Sequence, residues 1–296
     1  MTWTVVVFLS MLVMILVLRL LAWWGLRFFT HFFDKTVIFL KQAREQDDIS
    51  AAGSQIKAKF PATTKLLKAR LTPERFTGLP LTLVVIAALY IAALLGGLVE
   101  ELFEADELVR FDEGFNQQLA TVRTDVVVTL FAWITELGGS ATLVAVALVT
   151  TGLLWAHSHI YMIAPLWLTL LGSQITTYAG KYAIARPRPE FVTDVVAVTP
   201  SFPSGHATSA MAVYGFIAYL LAVHLSGVRQ RFEVIYWTAV LIALVGFSRI
   251  LLSLHYASDI AAGFLVGGFW LLLGFALAEH RRHQMNWKKD GEGIKF

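Results

Sequence analysis

Residues 79–99 read LPLTLVVIAALYIAALLGGLV. No side chain in this run is charged, and about 20 apolar residues are enough for a helix to cross the hydrocarbon core of a bilayer. The segment predicts a transmembrane helix. The rest of the chain agrees: 57% of its 296 residues are hydrophobic and 15% charged, where a soluble domain carries roughly 25% charged residues. The composition predicts an all-α, polytopic membrane helical bundle.

The two flanks of this helix differ sharply. Asp34–Gly78 carries nine basic and five acidic residues, whereas Glu100–Glu136 carries nine acids against Arg110 and Arg123. An excess of Lys and Arg marks cytoplasmic segments, so Asp34–Gly78 is expected inside and Glu100–Glu136 outside. Residues 140–156, 160–177, 207–225, 234–247 and 260–277 then alternate across the membrane. Arg229 and Arg231 mark an inside loop, and the basic tail lies inside. The run 126–134 is expected to be a partly inserted helix, too short to span. The result is six core helices over residues 79–279, with a cytoplasmic tail at 280–296.

Residues 1–33 are expected to be a membrane anchor, with Arg19 snorkelling to the interface and Trp23-Trp24 at headgroup level. A cleaved signal peptide would have a basic start and a shorter core; an interfacial helix is the other alternative. The basic segment 34–78 reads as short amphipathic helices around Ile56, Phe60, Leu66 and Leu67, or as a solvated connector. The absence of cysteine excludes disulfides, thiolate metal sites and a cysteine nucleophile. The net charge of +3 is not gathered into a nucleic-acid-binding face.

Polar side chains within so apolar a chain need a reason, and they fall into three clusters. The first is Lys181 with Arg188-Pro189. Arg186 stands nearby and is expected to be no more than surface positive charge; Pro187 and Pro189 predict that the helix ends there. The second is Pro203-Ser204-Gly205-His206, which opens a helix: Ser204 is a good N-cap, Gly205 allows close backbone approach, and a helix N-terminus favours phosphate. The third is Ser248-Arg249 with His255 and Asp259. His255 and Asp259, at i and i+4, share a helix face, and a carboxylate on one ring nitrogen fixes the tautomer and activates the other. Arg249 in apolar surroundings calls for an anion, and its fork matches phosphate oxygens. The expected topology brings all three clusters to the outer face. Together they suit phosphoryl transfer through a phosphohistidine. His157, His159, His280 and His283 sit at cytoplasmic helix ends without a supporting carboxylate cluster, so no metal site is expected there.

In order and spacing, the clusters Lys181-x6-Arg188-Pro189, Pro203-Ser204-Gly205-His206 and Ser248-Arg249-x5-His255-x3-Asp259 resemble the type-2 phosphatidic acid phosphatase superfamily of integral membrane lipid phosphatases. The resemblance covers residues 79–277. It implies a six-helix core, no cofactor and an active site facing away from the cytoplasm of a bacterial inner membrane. It also implies roles: His255 as nucleophile oriented by Asp259, and His206 as the acid and then the base. Lys181, Arg188, Ser204, Gly205 and Arg249 would bind phosphate. The substrate implied is a membrane lipid phosphate or diphosphate, such as undecaprenyl diphosphate, phosphatidate or phosphatidylglycerol phosphate. A lipid-to-lipid phosphotransferase is the alternative; a non-catalytic lipid-binding or transport protein would be expected to lack part of the catalytic set. The oligomeric state is not encoded in these motifs.

Overall fold

The computed structural model describes residues 2–47, 59, 61–62, 65, 70, 78–104, 106–189 and 199–292. The amphipathic helices expected around Ile56, Phe60, Leu66 and Leu67 fall outside them. The chain divides into two compact units, Met1–Thr82 and Leu83–Phe296.

In the first unit, α1 spans Thr2–Asp47, and its stretch Leu9–Thr30 is long and apolar enough to cross a membrane. The boundary expected at residue 33 falls inside this helix. No Pro or Gly occurs between Leu26 and Asp47, so nothing local stops it.

Helix α2 (Leu79–Glu104) leads into the second unit. There follow α3 (Asp106–Ala120), α4 (Asp125–Glu136), α5 (Ser140–Ala156), a 3₁₀ turn at Ile160–Met162, α6 (Ile163–Ile184), α7 (Gly205–His224), α8 (Val228–Leu251) and α9 (Ala257–Glu292). Among the described residues there is no strand. Helices α2, α6, α7, α8 and α9 each include a stretch able to span a bilayer. This is an all-α integral membrane protein. Helix α5, expected to span alone, has only 17 residues, or about 26 Å. It reaches spanning length only jointly with α4, across a 40° bend.

Helix α7 is central, packed against α5, α6, α8 and α9. Leu143, Ala147, Leu170 and Val213 bury one cluster between α5, α6 and α7, and Leu166, Phe216, Leu220 and Leu271 bury another between α6, α7 and α9. The α7–α9 contact is made by glycine. A Cβ on Gly263 would lie 2.7 Å from the Ser204 carbonyl oxygen and 2.9 Å from Ala207 Cβ; one on Gly267 would lie 2.7 Å from Met211 Cβ. Small residues four apart let membrane helices touch backbone to backbone. Since α6 ends, α7 begins, α8 ends and α9 begins at the same end of the bundle, the three clusters gather there.

Candidate active site

Helix α6 stops at Ile184. Ala185 takes a left-handed conformation (φ 50°) and returns its N–H to the Lys181 carbonyl at 2.9 Å. The ammonium of Lys181 is buried and donates to the carbonyls of Pro200 and Ser201. Four residues beyond the helix, Arg188 donates through Nε to the Thr199 carbonyl (2.8 Å) and through Nη1 to the Leu254 carbonyl (2.7 Å) and His255 Nε2 (3.2 Å).

Ser204 occupies the N-cap position of α7, as its sequence predicts, but its hydroxyl makes no capping bond. The hydroxyl is buried and has no partner among the described residues. Its backbone N–H instead donates to the Asp259 carbonyl at 3.0 Å, so a main-chain bond joins the second cluster to the third. A Cβ on Gly205 would meet only the Thr177 methyl, at 3.8 Å; packing alone does not require glycine there. His206, half-buried, lies beside Gly138 in the α4–α5 bend, where an added Cβ would stand 3.3 Å from its ring.

Between α8 and α9 the chain turns through Ser253 (φ 57°), and the Arg249 carbonyl accepts the N–H groups of both Leu254 (2.9 Å) and His255 (3.2 Å). The Arg249 side chain is buried; Nη1 donates to Thr135 Oγ1 at 2.9 Å, and Nε has no partner among the described residues. His255 is buried with Nδ1 3.3 Å from Asp259 Oδ2. Because arginine only donates, Nε2 is the acceptor towards Arg188 and Nδ1 carries the proton towards Asp259. Burial pushes the His255 imidazole down to about 4, Arg249 and Arg188 push the same way, and Asp259 opposes them. The ring is neutral near pH 7.

The charges are distributed unevenly. Among the described residues, Lys181, Arg188 and Arg249 form no ion pair with a carboxylate, whereas Arg186 forms two. Its Nη1 lies 2.7 Å from Asp259 Oδ1 and its Nη2 2.8 Å from Asp112 Oδ2. Burial alone would lower the Arg186 guanidinium, but Asp259 and Asp112 outweigh it and hold it above its ordinary value. Arg186 is therefore not surface charge, as its sequence position suggested, and Asp112 is not a solvated acid: both are buried.

Residues 162–283, which include all three clusters, match the profile of the PAP2 superfamily. Phosphatidylglycerophosphatase B of Bacillus subtilis (strain 168) is 30% identical over 167 residues, covering 55% of this chain and 82% of its own length. The chain belongs to the PAP2 superfamily. Lipid A 1-phosphatase of Rhizobium etli is 31% identical over 120 residues, but the match spans only 47% of that protein and 37% of this chain. The crystal structure of the transmembrane PAP2-type phosphatidylglycerolphosphate phosphatase from Bacillus subtilis superposes with a TM-score of 0.56 at 26% identity, covering 73% of this chain and 97% of the other.

The PAP2-matched region is not the whole site. Asp112 and Thr135 precede it, as do Asn116 and Arg123. Arg123 donates from Nε to the Leu251 carbonyl (2.6 Å) and from Nη2 to the Ile250 carbonyl (3.3 Å) and Asn116 Oδ1; Asn116 in turn holds Ser253 Oγ at 3.1 Å. A cation on the last carbonyls of α8 is a C-terminal cap, and this one pins the turn that presents His255. The Arg186-Pro187-Arg188 doublet was the one sequence signal for Arg186. Asp112 and Arg123 carry none: Asp112 is an ordinary charge on the amphipathic α3, and Arg123 an ordinary charge in the turn before α4.

Proposed function

We propose that the protein hydrolyses a membrane lipid phosphate or diphosphate through a phosphohistidine. The observation that carries this reading is the set of three buried or half-buried cations, Lys181, Arg188 and Arg249, without carboxylate partners among the described residues, beside a neutral His255. Such a set suits a phosphoryl group whose charge spreads over three oxygens. Nε2 of His255 attacks phosphorus, the bond to the lipid oxygen breaks, and His206 delivers a proton to that oxygen. His206 then takes a proton from water as water attacks phosphorus; the P–N bond breaks and inorganic phosphate leaves. Asp259 holds the Nδ1 proton throughout. The unpartnered Ser204 hydroxyl, the Arg249 Nε–H and the open space at Gly205 serve the phosphoryl oxygens. Three cations supply the charge that magnesium would otherwise bring.

The relatives named for phosphatidylglycerophosphate and lipid A support a lipid phosphate as substrate. The charge contrast across α2 supports a site on the outer side of the membrane, which we read as a bacterial inner membrane. The test is phosphate release from purified protein in detergent with EDTA, across glycerophospholipid phosphates and isoprenoid diphosphates. Loss of all activity in EDTA, restored by magnesium, would overturn the metal-free reading. On topology, a membrane-impermeant thiol reagent should label a cysteine placed at position 115 in intact cells, and not one at position 60.

A further inference from the structure

The hydrogen-bonded chain behind His255 does not end at Asp259. Oδ2 of Asp259 faces His255 Nδ1 and accepts the Tyr256 N–H at 2.9 Å, while Oδ1 accepts Arg186 Nη1 at 2.7 Å. The other arm of the Arg186 fork reaches Asp112 on α3. Asp112 also accepts the Ser258 N–H (3.1 Å) and the Ser258 hydroxyl, and that hydroxyl accepts from Arg186 Nη1 at 2.7 Å. The guanidinium lies over the Tyr256 ring, 4.2 Å from its centroid. Asp112, Arg186, Ser258 and Asp259 are all buried.

A single ion pair would have neutralised Arg186; burying a second carboxylate is costly. The two acids divide one cation, so Asp259 keeps part of its charge for His255. With Asp112 absent, the whole cation would fall on Asp259 and weaken its hold on Nδ1–H. With Arg186 absent, Oδ1 would be a buried acceptor without a donor, free to turn and draw the proton from Nδ1.

The geometry points to Asp112 and Arg186 as positioning residues for the reaction at His255, with α3 supplying the outermost member of a four-residue chain Asp112–Arg186–Asp259–His255. This rests on the reading of His255 as nucleophile. The competing role for Asp112 is mechanical: it accepts the Ser258 N–H and so caps the start of α9.

The two roles separate in a double-mutant cycle on the full-length protein, using Asp112→Asn, Arg186→Gln and the double variant. Turnover of phosphatidylglycerophosphate and thermal unfolding in detergent are both measured. Each single variant should lower kcat about ten- to a hundred-fold, the usual cost of losing a partner that orients a reactive side chain. KM should stay within about two-fold, as expected when the loss lies in the chemical step. Because Asp112 acts through Arg186, the double variant should be no slower than Arg186→Gln alone. Losses that multiply in the double variant, in step with falling melting temperature, would overturn the proposal in favour of the cap. If Arg186→Gln does not fold, the isosteric Asp112→Asn decides alone: a folded variant with normal kcat overturns the proposal. His255→Ala keeps the two readings apart. Surviving turnover there sinks the nucleophile assignment, whereas a dead His255→Ala beside a normal Asp112→Asn sinks only this inference.

Discussion

Nη1 of Arg188 lies 3.2 Å from Nε2 of His255. The atom proposed to attack phosphorus thus faces a cation that is itself braced by the carbonyls of Thr199 and Leu254. A phosphoryl group attacked at Nε2 has its oxygens within reach of that guanidinium. Arg188→Ala should slow phosphoenzyme formation about 10²–10³-fold, the usual cost of removing one transition-state donor. Arg188→Lys should recover little, because a single ammonium cannot keep both braces and the phosphate. Rapid-quench measurement of bound phosphate checks this; an unchanged kcat with raised KM would limit Arg188 to ground-state binding.

The two histidines should separate by leaving group. His255→Ala should remove the proposed nucleophile, and with it hydrolysis and any acid-labile phosphoenzyme. His206→Ala should lose about 10²–10⁴-fold with a lipid alkoxide leaving group, the range for a general acid. It should still accept phosphate from p-nitrophenyl phosphate, whose leaving group needs little protonation, and then stall for want of a base. A phosphoenzyme that persists in His255→Ala and vanishes in His206→Ala reverses the assignment.

The nucleophile proposed, His255, must be unprotonated to attack. Burial and the neighbouring arginines hold the His255 imidazole down to about 4, against about 6.5 for a free imidazole. Phosphoenzyme formation should therefore be flat from neutral pH to about 5 and fall as pH drops through about 4. The rates are corrected for substrate ionisation followed by 31P NMR. An acid limb centred near 6.5 would show that Nε2 is solvated. The same depression predicts a stability effect: the unfolded chain binds the extra proton first, so stability is full above about 6.5 and declines as pH falls towards 4.

Two glycines should behave oppositely. Gly205→Ala adds a methyl that meets only the Thr177 methyl, at 3.8 Å. Melting temperature should hold while activity falls about ten-fold, as expected when a group crowds a transition-state contact. Gly263→Ala sets a Cβ 2.7 Å from the Ser204 carbonyl oxygen and should cost about 1–3 kcal/mol through overpacking. Thermal unfolding and turnover, measured together, decide both. A Gly205→Ala enzyme of normal activity would remove this backbone from the phosphate site.

How much of this was legible in the sequence differed by residue. The clusters around Lys181, His206 and His255 stood out because each places charge in apolar surroundings, and helix alternation then put them at one end of the bundle. Arg249 stands out in the same way, as an arginine in apolar surroundings, and its side chain is buried. Arg186 lies between the helix end and two prolines, where surface arginines are ordinary. Its burial depends on Asp112, some 70 residues away, and no local pattern reports such a partner. Ser204 was correctly placed at the N-cap, but the destination of its hydroxyl is set by tertiary contacts. The apolar run 140–156 predicts a full span, but at 17 residues it reaches spanning length only jointly with α4, and that bent pairing emerges only in three dimensions.

The glycine-lined contact between α7 and α9 has a consequence for biosynthesis. Asp259 lies on the last of the described helices, and its carbonyl is bonded to Ser204 only when that helix is laid against α7. His206 and Arg249 are already in the nascent chain by then, but His255 has no carboxylate until α9 docks. A ribosome-bound intermediate halted before α9 carries Lys181, Arg188 and Arg249 and no oriented imidazole. Activity should switch on in one step, with the integration of that final span.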